Sequence, residues 1–70
     1  MNQNLPKEKI ALSGQIRTKQ KLNGLSDADM KRLTGLTDSE LSNICRGDDS
    51  VQMGTYYDVL DALNKYGETA

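Results

Sequence analysis

Residues Ser26 to Gly47, which read SDADMKRLTGLTDSELSNICRG, carry the clearest structural pattern of the chain. Ser26 is a good N-cap for a helix, and the aspartates just after it suit the unpaired amides and the positive dipole end of a first turn. Gly35 readily adopts the positive φ of a helix C-terminus, and Thr37 with Glu40 has the spacing of a capping box. The pattern therefore predicts two short helices separated by a tight turn.

The second of these helices is predicted to bury one side and to leave the other side free. Leu41 and Ile44 lie three residues apart, which places them on one face of a helix. Arg46 and Gly47 supply a basic last turn and a glycine just past it. Two helices joined through a short glycine turn form the helix-turn-helix unit, whose second helix is free to lie in a DNA major groove.

The residues GLSDADMKRLTGLTDSELSNICRG are similar to the signature of the Cro and phage-repressor family, also called the XRE family. The shared features are an apolar residue and a serine opening the first helix, the turn glycine, an apolar residue with a Thr or Ser cap, and a terminal Arg-Gly. The resemblance covers roughly Ile16 to Leu63. It implies an all-α, lambda-repressor-like domain of four to five helices, and a phage-like transcription regulator such as a repressor.

The rest of the chain is expected to support this motif. We predict a flexible N-terminus over residues 1 to 6, a helix-turn-helix domain over 7 to 65 and a flexible C-terminus over 66 to 70. Within the domain, helices are expected near residues 7 to 22, 26 to 33, 37 to 46 and 53 to 65. The predicted core is Leu12, Ile16, Leu25, Met30, Leu33, Leu36, Leu41, Ile44, Tyr56, Leu60 and Leu63.

Length and composition favour one small domain without catalytic chemistry. Seventy residues bury one modest core, and a single cysteine with no histidine provides neither a disulfide framework nor a zinc cluster. No Ser-His or Cys-His pair and no phosphate-binding glycine loop is present, so we expect no enzyme, no cofactor and no metal; Asp48-Asp49 is interpreted as a solvated turn. No apolar run approaches the roughly 20 residues of a membrane span, which favours a cytoplasmic protein.

The charges are distributed unevenly along the chain. Residues 1 to 24 carry five cations and one carboxylate, a net charge of +4, whereas residues 25 to 64 carry three cations and eight carboxylates, a net charge of −5. The whole chain has a net charge of −1. This charge dipole differs from the basic surface that is typical of DNA-binding proteins.

The outward residues of the second motif helix are candidates for reading DNA. Asn43 can pair bidentately with adenine, Arg46 can reach a phosphate or guanine, and Asp38 can accept a hydrogen bond from a cytosine amine. The family resemblance implies base contacts early in this helix and one turn later, at Asp38, Ser39 and Asn43. The predicted DNA-binding residues are Thr37, Asp38, Ser39, Ser42, Asn43, Arg46, Arg17 and Lys21.

The expected partner is double-stranded DNA, bound through the major groove by a homodimer. One small recognition helix covers few base pairs, so proteins of this class usually bind two half-sites as a pair. We expect the contacts between the two copies to come from the loop after Gly47 and the last helix, including Val51, Tyr57 and Tyr66.

Carboxylates at two places keep a different function open. The family commonly has a glutamine on a phosphate at the start of the first motif helix and a basic loop after the second, whereas this chain has Asp27 and Asp48-Asp49 there. Carboxylates repel phosphate, and phosphate neutralisation supplies much of the affinity for DNA. The alternative is a protein-interaction module with the same fold, an antirepressor or an assembly subunit, whose acidic face binds a basic partner and which does not bind DNA.

Overall fold

A computed structural model describes residues 4–69, which form four α-helices and no strand. The helices are α1 (Asn4–Leu22), α2 (Asp27–Thr34), α3 (Asp38–Arg46) and α4 (Met53–Thr69). The all-α prediction is confirmed. The two motif helices end within one residue of the expected bounds, but α1 begins three residues earlier and α4 ends four residues later than predicted. The predicted flexible termini therefore overlap helix at residues 4–6 and 66–69, and their remaining residues lie outside the described part of the chain.

Capping boxes start both motif helices, as the sequence predicts. Ser26 Oγ accepts a hydrogen bond from Asp29 N at 3.1 Å, and the Asp29 carboxylate accepts one from Ser26 N at 3.0 Å. Thr37 and Glu40 repeat this exchange at 3.2 and 2.9 Å. Each box provides hydrogen-bond partners for amides that a helix start leaves unpaired. Because the cap of α3 is built from its own first residues, α3 can begin only three residues after α2 ends.

Two glycines end these helices in the left-handed region, with φ of +76° at Gly35 and +72° at Gly47. Gly35 lies in open space, whereas Gly47 is buried against α1. A Cβ atom on Gly47 would lie 2.8 Å from Ile10 Cα, which is too close for any real side chain. Position 47 therefore requires glycine both for its backbone conformation and for the contact that it makes with α1.

The core lies where α1 and α2 each pack against α3 and α4. Eight of the eleven predicted core residues are buried, and Leu25 and Leu36 are half-buried against them. Val59, which is 2% exposed, also belongs to the core. The buried apolar residues are Leu12, Ile16, Met30, Leu41, Ile44, Tyr56, Val59, Leu60 and Leu63.

Leu33 is the wrong member of the predicted core, because 36% of it is exposed. It borders two open grooves, one with Leu25 and Tyr66 and the other with Val59 and Ala62. The α4 helix therefore lies beside Leu33 without covering it completely. Met30, three residues earlier on α2, occupies the interior position and is fully buried.

The acidic loop between α3 and α4 is bound to two helices, so it is more than the solvated turn that the sequence indicates. Lys9 Nζ donates to the Asp49 carbonyl oxygen at 2.6 Å and lies 3.3 Å from its carboxylate. The buried Tyr56 donates its hydroxyl to the Asp48 carbonyl oxygen at 2.8 Å. Burial, together with the Asp48 and Asp49 carboxylates, raises the pKa of the Tyr56 phenol above its usual value.

None of the helices in the described residues is long and apolar enough to span a lipid bilayer.

Leu41→Ala and Leu33→Ala form a matched pair that tests this core. Leu41 is 4% exposed, so its truncation should lower the free energy of unfolding by about 2 to 5 kcal/mol. Leu33→Ala should cost distinctly less because its side chain already contacts solvent. Denaturant unfolding of both variants measures the difference. A cost for Leu41→Ala below about 0.5 kcal/mol, the usual range of surface changes, would mean that α3 is rotated.

Gly47→Ala and Gly35→Ala separate the two requirements at position 47. Both replacements place alanine in the left-handed region, which costs about 1 to 2 kcal/mol. Only at position 47 does the new methyl group also meet the α1 backbone, so Gly47→Ala should cost about 1 to 3 kcal/mol more. Equal losses of unfolding free energy in the two variants would show that α1 moves aside without penalty.

Candidate nucleic-acid interface

The α3 helix presents one polar face to solvent. Leu41 and Ile44 are buried, which fixes the inward direction of the helix. At about 100° of rotation per residue, Ser39 and Arg46 lie at the centre of the opposite face, and both are exposed. Ser42, also exposed, flanks this centre on the side of α1. The predicted orientation of the helix is therefore confirmed, and its outward side chains are short apart from the single arginine.

Arg46 is held by its neighbours on α3 and in the following loop. Its Nη2 atom donates to Asn43 Oδ1 at 2.6 Å and to Asp48 Oδ2 at 3.1 Å, and its Nη1 atom lies 3.5 Å from Ser42 Oγ. Three of the predicted DNA-binding residues, Ser42, Asn43 and Arg46, thus form one hydrogen-bonded group. Asn43 is half-buried within it, and Arg46 remains 61% exposed.

The residues at the start of α3 are also engaged within the protein. The Thr37 hydroxyl oxygen accepts the Glu40 amide in the capping box, so its first role is to begin the helix. The Asp38 carboxylate forms an ion pair with Lys31 of α2. Ser39 is therefore the exposed residue of this turn whose hydroxyl faces solvent at the centre of the polar face.

A groove of about 340 Å³ between α1 and α3 brings together four of the predicted residues. Arg17 and Lys21 border it from α1, and Asp38 and Ser42 border it from α3. Leu41 and Cys45 also line it, and burial raises the pKa of the Cys45 thiol above its usual value. Arg17 and Lys21 are one helical turn apart on α1, and both are exposed.

Asn43 lies on the other side of α3, away from this groove. It borders a second groove with Glu40, Ser50, Gln52 and Thr55. The predicted DNA-binding residues thus lie on the outward face of α3 and in the grooves on its two sides. The polar neighbours Gln20 in the first groove, and Ser50 and Gln52 in the second, were not predicted. They lie outside α3 and carry no charge that marks them as phosphate contacts in the sequence.

The cations of the helix-turn-helix differ from those of α1 in their pairing. Lys31 pairs with Asp38, Arg32 with Asp29, and Arg46 with Asp48. Among the residues from 4 to 69, Arg17 and Lys21 have no carboxylate oxygen within 4.0 Å. Unpaired positive charge at this interface therefore lies on α1.

The residues expected at a dimer contact are spread along α4 and the loop before it. Val51 precedes α4 and is half-buried against the core, whereas Tyr66 lies near the end of α4 beside Leu33. Thirteen residues of helix, about 20 Å, separate Met53 at the start of α4 from Tyr66. Tyr57 is 57% exposed on the same helix.

Within the described part of the chain, no group of three or more His, Cys, Asp or Glu side chains is arranged to hold a metal ion.

Comparison of this chain with protein-family models, with curated proteins and with solved structures found no match. The resemblance to the Cro and phage-repressor family therefore stays a prediction from the motif residues. Any assignment of function depends on the geometry of α3 and its surroundings.

Asp48→Asn tests the electrostatic role of the loop. Hydrogen bonds from Ser50 N and from Arg46 lower the pKa of Asp48 from 3.8 to about 2. A lowered pKa means that the carboxylate stabilises the fold above pH 3.8 and that this stabilisation is lost as pH falls through about 2. The stability difference between the wild type and Asp48→Asn should therefore shrink across this range.

Denaturant unfolding at several pH values measures that difference, and Asp58→Asn, which changes an exposed carboxylate on α4, is the control. The control should leave the wild-type acid response in place. An acid response in Asp48→Asn identical to that of the wild type would show that Asp48 contributes nothing to it.

Proposed function

We propose that this chain is a small DNA-binding transcription regulator of the Cro and phage-repressor type, which reads an operator with the helix from Thr37 to Arg46. It acts in the cytoplasm, without catalysis or a cofactor. One observation carries the proposal. Leu41 and Ile44 anchor α3 in the core while its opposite face offers Ser39, Ser42 and Arg46 to solvent.

The dimensions of α3 support this proposal. An α-helix with its side chains is about 10 to 12 Å across, and the major groove of B-DNA is about 12 Å wide. The nine residues of α3 give the helix a length of about 13 Å. The serines on its outward face are short, so the helix backbone can approach base edges closely. The two capping boxes and the three-residue turn hold α2 at a defined position behind α3, which is the arrangement that a helix-turn-helix requires.

Asn43 and Arg46 are the proposed base-reading pair. The 2.6 Å hydrogen bond from Arg46 to Asn43 Oδ1 orients the amide, and this oxygen keeps a second lone pair for a base donor. Asn43 can then bind adenine while Arg46 binds guanine or a phosphate. Ser39, Ser42 and Asp38 supply further hydrogen-bonding groups, with Thr37 at the helix start and Arg17 and Lys21 beside the phosphates.

We further propose that the protein binds DNA as a homodimer on two half-sites about one helical turn apart. A single α3 covers few base pairs, so two copies are needed for a site of useful specificity. The exposed Tyr57 on α4 is available for such a contact.

The second candidate function is a protein-interaction module, an antirepressor or assembly subunit without DNA binding. The observation that favours it is the pairing of Lys31, Arg32 and Arg46 with carboxylates. Paired in this way, the motif presents little free positive charge, and its carboxylates suit a basic protein partner.

Selection from random duplex pools at low and moderate salt tests the first function. Enrichment of a defined sequence is expected. On the selected duplex, Asn43→Ala should relax the preference at one base pair by about 1 to 3 kcal/mol, and Arg46→Ala should weaken binding. If no sequence is enriched at either salt concentration, operator reading by α3 is excluded.

The double change Asp48→Asn with Asp49→Asn distinguishes the two functions by sign. For DNA it should tighten binding, because it removes two repulsive carboxylates and leaves the charges of Arg46 and Lys9 without an anionic partner. For a basic protein partner it should weaken binding. Asp58→Asn on α4 is the matched control, and unchanged affinity of the double variant for both partners would place the loop outside either interface.

A further inference from the structure

The unpaired cations of α1 lie beside the proposed recognition helix. Arg17 and Lys21 are exposed, stand one turn apart and border the α1–α3 groove. The motif cations Lys31, Arg32 and Arg46 each have a carboxylate partner instead. The two groups of cations therefore differ in what they can offer to a DNA phosphate.

We propose that the DNA sugar-phosphate backbone crosses the molecule along the α1–α3 groove, with Arg17 and Lys21 as its phosphate contacts, and that the paired cations of the helix-turn-helix add no net phosphate neutralisation. This inference rests on the proposed DNA-binding function. It assigns the backbone to α1 and leaves α3 to read the bases.

The groove accommodates an anionic backbone although two carboxylates border it. Asp27 accepts a hydrogen bond from Gln20 Nε2 at 3.0 Å, and Asp38 is paired with Lys31. Ser42 on the α3 side supplies a hydroxyl donor opposite the two cations. A phosphate between the two helices thus meets two unpaired cations, Arg17 and Lys21, and one hydroxyl. Asp38 is neutralised by Lys31, whereas Asp27 keeps its negative charge because the Gln20 amide is neutral. Two cations against one un-neutralised carboxylate leave the groove with a net positive charge.

The remaining α1 cations lie elsewhere. Lys19 borders a separate groove with Leu22 and Leu63, and Lys9 pairs with Asp49. Lys7 is ten residues before Arg17, about 15 Å away along the helix. Arg17 and Lys21 are therefore the α1 cations placed to act with α3.

The number of phosphate contacts determines how steeply the affinity for DNA falls with salt concentration. Each neutralised phosphate changes the slope of log affinity against log salt by about −0.9, so two contacts give about −1.8 per protomer. If Lys19 and the three motif cations also contacted phosphates, six contacts would give about −5.4 per protomer. The two cases differ enough to be distinguished by a salt titration.

Cys45 provides a second and independent readout. It is the only cysteine of the chain, and it lines the same groove. A backbone lying in the groove should slow alkylation of this thiol by a maleimide. A duplex held by α3 alone, without filling the groove, should leave the alkylation rate close to that of the free protein.

The experiment uses the full chain and the duplex selected from the random pools. Salt titrations compare the wild type with Arg17→Gln, Lys21→Gln and Arg32→Gln, and circular dichroism checks that each variant is folded. Arg32→Gln is the matched control, because it removes an exposed but paired arginine. The expected wild-type slope is about −2 per protomer. Arg17→Gln and Lys21→Gln should each reduce its magnitude by about one unit, and Arg32→Gln should not reduce it.

The outcomes separate this inference from the function beneath it. Reduced slopes in the two α1 variants, with at least a fivefold slower alkylation of Cys45 in the complex, support a backbone in the groove. Three results would overturn the inference while specific DNA binding, and so the proposed function, is kept. They are unchanged slopes in the two α1 variants, a reduced slope in Arg32→Gln, and an unchanged rate of Cys45 alkylation in the complex. If no duplex is selected, the function and the inference fail together.

Discussion

The close contact between Gly47 and Ile10 determines how the rest of the molecule is arranged. Because a Cβ atom at position 47 would lie 2.8 Å from Ile10 Cα, only glycine allows the end of α3 to touch the α1 backbone. That contact places Lys9 beside Asp49 and brings the second half of α1 alongside α3. The groove with Arg17 and Lys21 lies further along the same two helices, which also share the core residues Ile16, Leu41 and Ile44.

In the sequence, residues 1 to 24 are basic and residues 25 to 64 are acidic, but in the structure several of these opposite charges pair with one another. The loop carboxylates Asp48 and Asp49 bind Arg46 and Lys9, so they act as internal partners as well as repelling anions. The same pairing satisfies the cations of the helix-turn-helix. A solvent-exposed pair of this kind contributes little to stability, and its main effect is on which charges remain free for a partner.

The outward face of α3 combines a rigid support with short side chains. Capping boxes begin both motif helices, and left-handed glycines end them, so the position of α3 relative to α2 is fixed by local hydrogen bonds. On the outward face of α3, Arg46 is hydrogen-bonded to both Asn43 and Ser42. Such preorganisation suits base reading, because little side-chain freedom is lost on binding. The same rigid polar face would also serve a protein partner.

Local chemistry in the sequence determined the helices of the motif, their caps and the inward side of α3, because caps, glycines and apolar spacing act over three or four residues. It identified most of the core for the same reason. Leu33 was misjudged because its burial depends on which part of α4 reaches it. The contact of Lys9 with Asp49 and the α1–α3 groove were decided by tertiary structure alone, whereas Arg46 and Asp48 are only two residues apart and pair locally. Contacts between segments up to forty residues apart depend on how the helices pack, and no local pattern encodes that packing.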